Sequence, residues 1–374
     1  MIRYVARLVE IAHAIAALRL IRTTLGRVHP PQDDRDIGDA AVVAVVPVLD
    51  EQARLAPCLE GLLRQDFPLR TVLVVDTGSS DRTIDLVRAY RARDARVQLV
   101  CAGPPPRGWN GKVWGLRTGL QAAPDADWYL FVDADVRPAP TLVRRLLAVA
   151  RARGVPVASV ALRQAVMPDA LSWLLHPAML TSLVYRLGVP GQVYRSADHA
   201  FANGQVLLLA RQVATTVPEL ASLAHANAED VALAREMARR GVPVAFFDAL
   251  DDSFVTMYRD GRALWHGWPR SLPLCDRRSV ARNALDLAVL AATQGAWLPV
   301  LALAFRCREL RPAAALAAGL RAALLVGVRR AYRHPRRLYW LSPLTDPLVV
   351  ARVVGASFAR TVVWRGRRIV RRGM

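Results

Sequence analysis

The chain has 374 residues, 53% of them hydrophobic, and a formal net charge of +20. That length allows one or two domains with a real core, and the positive mean hydropathy leans towards membrane association. Four scattered cysteines, Cys58, Cys101, Cys275 and Cys307, have no C-x-x-C spacing and exclude a disulfide framework or zinc site.

In chain order, residues 4–20 alternate apolar and polar positions at helical spacing, interrupted by Arg7, Glu10 and Arg19. This run is too charged for a spanning helix and reads as an amphipathic helix on a membrane or on the body of the protein. Residues 29–39 read as a linker, which closes a first unit at 1–38. Strands are expected at 41–48, 71–75, 97–100 and 128–132, with helices at 55–65, 81–93, 112–121 and 141–153. Such alternation implies an α/β fold with a mostly parallel, doubly wound sheet. Ala170 to Tyr185 is an apolar run containing His176-Pro177, too short to span comfortably, and fits an interfacial helix beside the active-site mouth.

A C-terminal membrane-associated region is expected over 266–374, after a catalytic unit at 39–265. Leu287 to Phe305 carries no charge and would reach about 28 Å as a helix at ~1.5 Å per residue, close to a bilayer core. Pro312 to Val328 is a weaker partner because Arg321 falls near its middle. The arginines between 329 and 337 give a positive-inside signal. Leu344 to Val363 is a third apolar stretch, interrupted by Asp346, Arg352 and Arg360, and a basic tail follows at 365–372. Basic charge set between apolar segments favours lipid over nucleic acid as the partner.

The chemistry concentrates at strand ends. Val45-Val-Pro47-Val-Leu-Asp50-Glu51 places two carboxylates after the first strand. Val75-Asp76-Thr-Gly-Ser-Ser-Asp81 does the same after the second, and Asp133-Ala-Asp135 after the fourth. Ligands of open α/β sheets bind at the carboxyl ends of strands. Carboxylates there suit base and ribose hydroxyls, and a turn could converge Asp133 and Asp135 on one divalent metal that carries a diphosphate. Lys112, the only lysine, opens a helix from a Gly-rich turn and is placed to neutralise donor phosphate; a solvated lysine is the alternative.

With these motifs the chain resembles family-two glycosyltransferases of the GT-A fold over roughly residues 40 to 270. Pro47 to Glu51, Asp76 to Thr83 and Asp133-Ala-Asp135 match that family's successive donor-site motifs. Glu229-Asp230 resembles its E-D pair, whose aspartate is the catalytic base. Phe201-Ala-Asn203-Gly204-Gln205 looks like its acceptor-side turn. Gly108-Trp-Asn-Gly111-Lys112 and Trp364-Arg-Gly-Arg367 further resemble a membrane-bound branch with hopanoid-associated, ceramide-type and carotenoid glycosyltransferases. Two features depart from the pattern. Asp50 stands where the family usually has Asn, and the Gln/Arg-x-x-Arg-Trp motif is replaced by residues 257–270. In that segment Trp268 could stack on an acceptor and Arg270 could bind diphosphate, with an interfacial aromatic belt as the alternative.

The resemblance implies a metal-dependent (Mg or Mn), inverting glycosyltransferase at the cytoplasmic face of the cell membrane. It would use a nucleotide-sugar donor, UDP-linked, and a lipid or isoprenoid acceptor. The expected donor contacts are Pro47, Asp50, Glu51, Asp76, Lys112 and Asp133. Asp135 is the metal ligand and Asp230 the base, with Asn203, Gly204, Glu229, Trp268 and Arg270 on the acceptor side. The rivals are a nucleotidyl- or sugar-phosphate transferase, which needs a basic Gly-rich loop where Asp50-Glu51 stands, and a non-catalytic protein that binds anionic membranes.

Overall fold

The computed structural model describes residues 2–28, 37–217, 223–226, 228–248, 251–270, 272, 274, 278–359, 361–364 and 367–370. Most of the expected linker and much of the basic tail lie outside the described residues, as do Cys275 and the side chain of Arg270.

The first half of the chain builds a Rossmann-like sheet. β1 (Val42–Val48), β2 (Thr71–Asp76), β3 (Val97–Cys101) and β4 (Trp128–Val132) are joined by helices α2 (Leu55–Leu63), α3 (Thr83–Arg93) and α4 (Gly111–Ala122). β1 pairs in parallel with both β2 and β4, and β2 with β3. β1 is apolar throughout because both of its faces are covered. Val42, Ala44, Val46 and Val48 pack on α2, α3 and the later helix α5 (Leu142–Ala152), while Val43 and Val45 pack on α4. These elements lie within one or two residues of the expected bounds.

The sheet then departs from pure alternation. After the short strand β5 (Val136–Arg137) come β6 (Val157–Val160), β7 (Arg163–Gln164), α6 (Ala170–Leu187), β8 (Gln192–Tyr194) and β9 (Val206–Ala210). α7 (Arg211–Ala214), α8 (Glu229–Arg239), β10 (Val244–Phe247) and β11 (Phe254–Val255) follow. The sheet order is β3-β2-β1-β4-β9-β6-β10-β8, and β9 runs antiparallel to both β4 and β6. Parallel pairs still predominate, but the reversal of β9 matters for the site. Its first residues lie where β4 ends, and the Asp133 N–H donates to the Gln205 carbonyl at 3.0 Å. A minor sheet, β5-β11-β7, closes one side of that edge.

α4 sits unusually close to the sheet. A Cβ at Gly119 would stand 2.5 Å from Val45 Cγ1, and one at Gly115 3.0 Å from the Pro47 Cβ. Glycines spaced by one helical turn therefore let α4 lie against β1 and carry Lys112, at its N-terminus, to the strand ends.

The remaining helices form one layer. It holds α1 (Ile2–Leu25), α6, α9 (Gly261–Gly267), α10 (Val280–Leu290), α11 (Trp297–Ala304), α12 (Arg311–Val328) and α13 (Asp346–Ser357). The expected span over 287–305 is broken: a π-helical segment, Ala291–Gly295, separates α10 from α11, and the two parts bend by 45°. α12 extends the weaker expected span as one helix. Arg321 is 1% exposed and bonds Asp346 at 2.5 Å, with Gln294 and Trp297 donating to the same carboxylate. The third apolar stretch is not one long helix. It divides into a 3₁₀ segment, Arg337–Thr345, and α13, whose 12 residues reach only about 18 Å. α6 does not lie on an outer surface either: Trp173, Leu175, His176, Met179 and Tyr185 are buried, and the helix forms a wall of the central cavity. A polar His176 inside this run reads as an interfacial signal in sequence, but its Nδ1 is satisfied by the Tyr332 hydroxyl at 2.9 Å.

Candidate active site

The strand ends open into a cavity of about 1430 Å³ lined by residues from β1, the turn after β4, α4, α6, α8, α9 and α12. One side is polar, with Glu51, Arg54, Thr77, Asn110, Lys112, Asp133, Asp135, Asn203, Gln205 and Asp230. The part lined from α6, α12 and the segment that follows α9 is largely apolar, with Leu180, Leu183, Val184, Leu187, Trp268, Leu272, Leu324 and Val328, though His266 and Arg330 also line the cavity.

Lys112 is the electrostatic centre of the polar side. Asn110 caps α4 by accepting the Lys112 N–H at 2.9 Å, which fixes where the side chain starts. Its ammonium lies 2.7 Å from Asp133 Oδ1 and 2.9 Å from Glu229 Oε1, and donates to the Gly204 carbonyl at 3.1 Å. Burial opposes its charge, but Asp133, Glu229 and Asp230 outweigh that and hold the ammonium above its usual range. Lys112 is therefore not the solvated lysine of the alternative reading. It ties Asp133 to the Glu229-Asp230 pair.

Asp230 stands in the first turn of α8. Its Oδ2 accepts the Gly204 N–H at 2.6 Å and its Oδ1 the Val231 N–H at 2.8 Å. Burial, and then the neighbouring Glu229, push its carboxyl up to about 7, the range suited to a general base. Gly204 is required beside it: an added Cβ would lie 3.0 Å from both the Asp230 Cβ and the Lys112 Nζ. Asn203 lines the cavity, and its amide and carbonyl groups are tied to Gln205.

Asp133 and Asp135 do not converge on one partner. The turn after β4 sends Asp133 to Lys112 and Asp135 towards Arg54, whose guanidinium is 3.6 Å from Asp135 Oδ2. Arg54 also grips Glu51 at 2.7 Å, and it had no motif to announce it in the sequence. Asp135 Oδ1 is buried without a hydrogen-bond partner. Burial and then the Asp133 charge push the Asp135 carboxyl up to about 7. Among the described residues no group of three or more His, Cys, Asp or Glu side chains is arranged to hold a metal unaided. An orphaned carboxylate oxygen at the cavity wall does fit a divalent ion whose other ligands are phosphate oxygens and water.

Two expected donor contacts are engaged elsewhere. Asp76 is buried, and its carboxylate accepts the N–H groups of Gly78 and Ser79 at 3.0 and 3.2 Å. Asp50, at φ 52°, caps the same loop by accepting the Ser80 N–H at 2.7 Å. Neither lines the cavity; together they fix the 78–80 loop. Pro47 and Glu51 do line it. Trp268 is buried 4.5 Å from the His176 ring, which rules out its place in an exposed aromatic belt.

A mostly parallel sheet with an inserted antiparallel strand and acidic strand ends is the GT-A architecture. Residues 43–198 match the family described as glycosyl transferase family 2. A stretch of 106 residues is 28% identical to the uncharacterized glycosyltransferase EpsJ of Bacillus subtilis (strain 168), covering 28% of this chain and 29% of that protein's length. The fold is similar to that of the mannosyltransferase PcManGT from Pyrobaculum calidifontis, solved in complex with GDP-Man and Mn2+. That likeness has a TM-score of 0.53 at 18% identity and covers 95% of this chain and 97% of the other. Glucosyl-3-phosphoglycerate synthase from Mycobacterium tuberculosis aligns more loosely, with a TM-score of 0.41 at 17% identity over 66% of this chain and 86% of the other.

Proposed function

We propose that the protein transfers a sugar from a nucleoside-diphosphate donor to a hydroxyl or carboxyl group of a lipid acceptor, with inversion, at the cytoplasmic face of the cell membrane. The observation that carries this reading is the single cavity whose polar side is built from the strand-end carboxylates and whose far side is largely apolar. A water-soluble acceptor needs no wall of leucines from α6 and α12, whereas an isoprenoid or acyl chain gains free energy by covering it.

The donor diphosphate lies against the loop from Pro47 to Arg54 and beside Asp135. Asp135 would hold the divalent ion, Mg or Mn, through its free oxygen. Bound there, such an ion offsets diphosphate charge and stabilises it as a leaving group. Mn2+ in the structure of the similarly folded mannosyltransferase supports that choice. Arg54 keeps Glu51 paired and the loop in place, and Lys112 fixes Asp133 against Glu229. Asp230 faces the acceptor and takes its proton as the acceptor oxygen bonds to the anomeric carbon and the carbon–phosphate oxygen bond breaks. The products are the glycoside and the nucleoside diphosphate. The 203–205 turn positions Asp230 through the Gly204 N–H.

Titration calorimetry with UDP and with GDP, each with manganese, tests the donor side. Labelled-sugar transfer into a lipid extract tests the acceptor. Failure of both nucleotides to bind would remove the transferase reading, and label recovered solely in water-soluble product would remove the lipid acceptor.

A further inference from the structure

α1 reverses the polarity expected of a helix packed on a water-soluble domain. Its inner face is made of small or polar residues, Ala6, Val9, Ala12, His13 and Ala16. Its large apolar side chains point out: Tyr4, Leu8, Ile11, Ile15, Leu18, Ile21 and Leu25 are between 37% and 81% exposed. They recur at the three- and four-residue spacing that gives one continuous stripe.

The helices beneath it show the same inversion. Asp286 and Asp346 are fully buried; Asp286 pairs with Arg19 of α1 at 3.0 Å and with Arg278, and Asp346 with Arg321. Apolar residues of the same layer face outward, among them Phe305 at 80% and Val326 at 63% exposed. Charges paired inside and hydrocarbon outside is the arrangement for a solvent of lipid, not water. The first turns of α1 pack on the segment that joins α11 to α12 through Ala6, Val9, Val300 and Leu310. That end carries exposed Arg3, Arg7, Arg306, Arg308 and Arg311, a cationic rim complementary to anionic headgroups.

We propose that α1, though separated from α10–α13 in sequence by the whole catalytic sheet, belongs to the same bilayer-embedded layer, with its stripe from Tyr4 to Leu25 in contact with the acyl chains of an anionic membrane. Of the charges that argue against a spanning helix in the bare sequence, Arg19 is turned inward, where it also donates to the carbonyls of Tyr185 and Arg186, while Arg7 stays with the exposed cationic rim. This proposal rests on the membrane attachment proposed above and adds a surface to it.

The test uses the full chain and vesicles of phosphatidylcholine with phosphatidylglycerol. With Cys101, Cys275 and Cys307 replaced by serine, an environment-sensitive label on Ile11→Cys or Ile15→Cys should shift to the blue and be quenched by spin-labelled acyl chains. The double variant Ile11→Glu with Ile15→Glu should keep the wild-type circular dichroism and nucleotide binding. Its flotation with the vesicles should fall by roughly tenfold or more, the order expected when two buried isoleucines become charged. If the wild-type chain floats while the label stays open to aqueous iodide, or the double variant floats equally well, α1 is not lipid-facing. If the wild-type chain itself fails to float, membrane attachment falls with it, while nucleotide binding reports separately on the transferase reading.

Discussion

At the scale of single residues, the proposed base Asp230 and the proposed metal ligand Asp135 are both carboxyls held near neutrality. Asp230 is held up to about 7 by burial and Glu229, so it accepts a proton only above that range. Turnover is expected to rise with pH through about 7 and then level off. The sign for stability is opposite. The fold favours protonated Asp230, so its contribution is present below the ordinary 3.8 and is lost as pH rises through about 7. Asp230→Asn keeps the helix start and should retain donor binding while turnover falls roughly 100-fold or more; unchanged turnover would remove Asp230 as base. Asp135→Asn should instead abolish manganese-dependent nucleotide binding and leave thermal unfolding near the wild-type midpoint. Transfer that survives in this variant, or in EDTA, would take the metal out of the reaction.

At the scale of elements, the position of Lys112 depends on how closely α4 lies on β1. Gly119→Ala favours the helix by ~1 kcal/mol in propensity, yet its methyl would meet Val45 at 2.5 Å. Overpacking costs ~1–3 kcal/mol, so a net destabilisation is expected, along with weaker transfer as Lys112 moves from Asp133. Urea unfolding and kinetics on the same variant check both; a variant more stable than wild type would mean that α4 has room to spare. The parallel half of the fold was legible because β1 to β4 are short apolar runs broken by acidic turns. β9 is a continuous apolar run as strand-like as these, but its antiparallel insertion was not legible, since an apolar run carries no direction. The acidic motifs found the site, but not which of their members face it. Asp76 and Asp50 turn their carboxylates onto backbone N–H groups of their own loop, a local competition that spacing does not reveal. Arg54 was missed because a lone arginine after a strand has no pattern to mark it.

At the scale of the molecule, the proposed membrane attachment fixes which segments share a side with the catalytic domain. If the bent pair α10–α11 crosses and α12 returns, the arginines at 329–337 stay with the catalytic domain and residue 309 does not. Cysteines introduced as Glu309→Cys and His334→Cys should then be labelled from opposite faces of sealed vesicles. Labelling of both from one face would leave a re-entrant hairpin, for which the 45° bend is already suited.

The Arg321–Asp346 pair has a consequence in time rather than space. During synthesis α12 emerges with its guanidinium bare, and the carboxylate that neutralises it is made only when α13 begins. Until then the helix carries an uncompensated charge whose burial costs about 3–5 kcal/mol. Final seating of α12 therefore waits for α13, and a ribosome stalled before residue 346 would hold a chain whose catalytic sheet is complete but whose helical layer is not. Ribosome-bound chains ending at 340 should be extracted by alkaline carbonate more readily than chains long enough to expose α13.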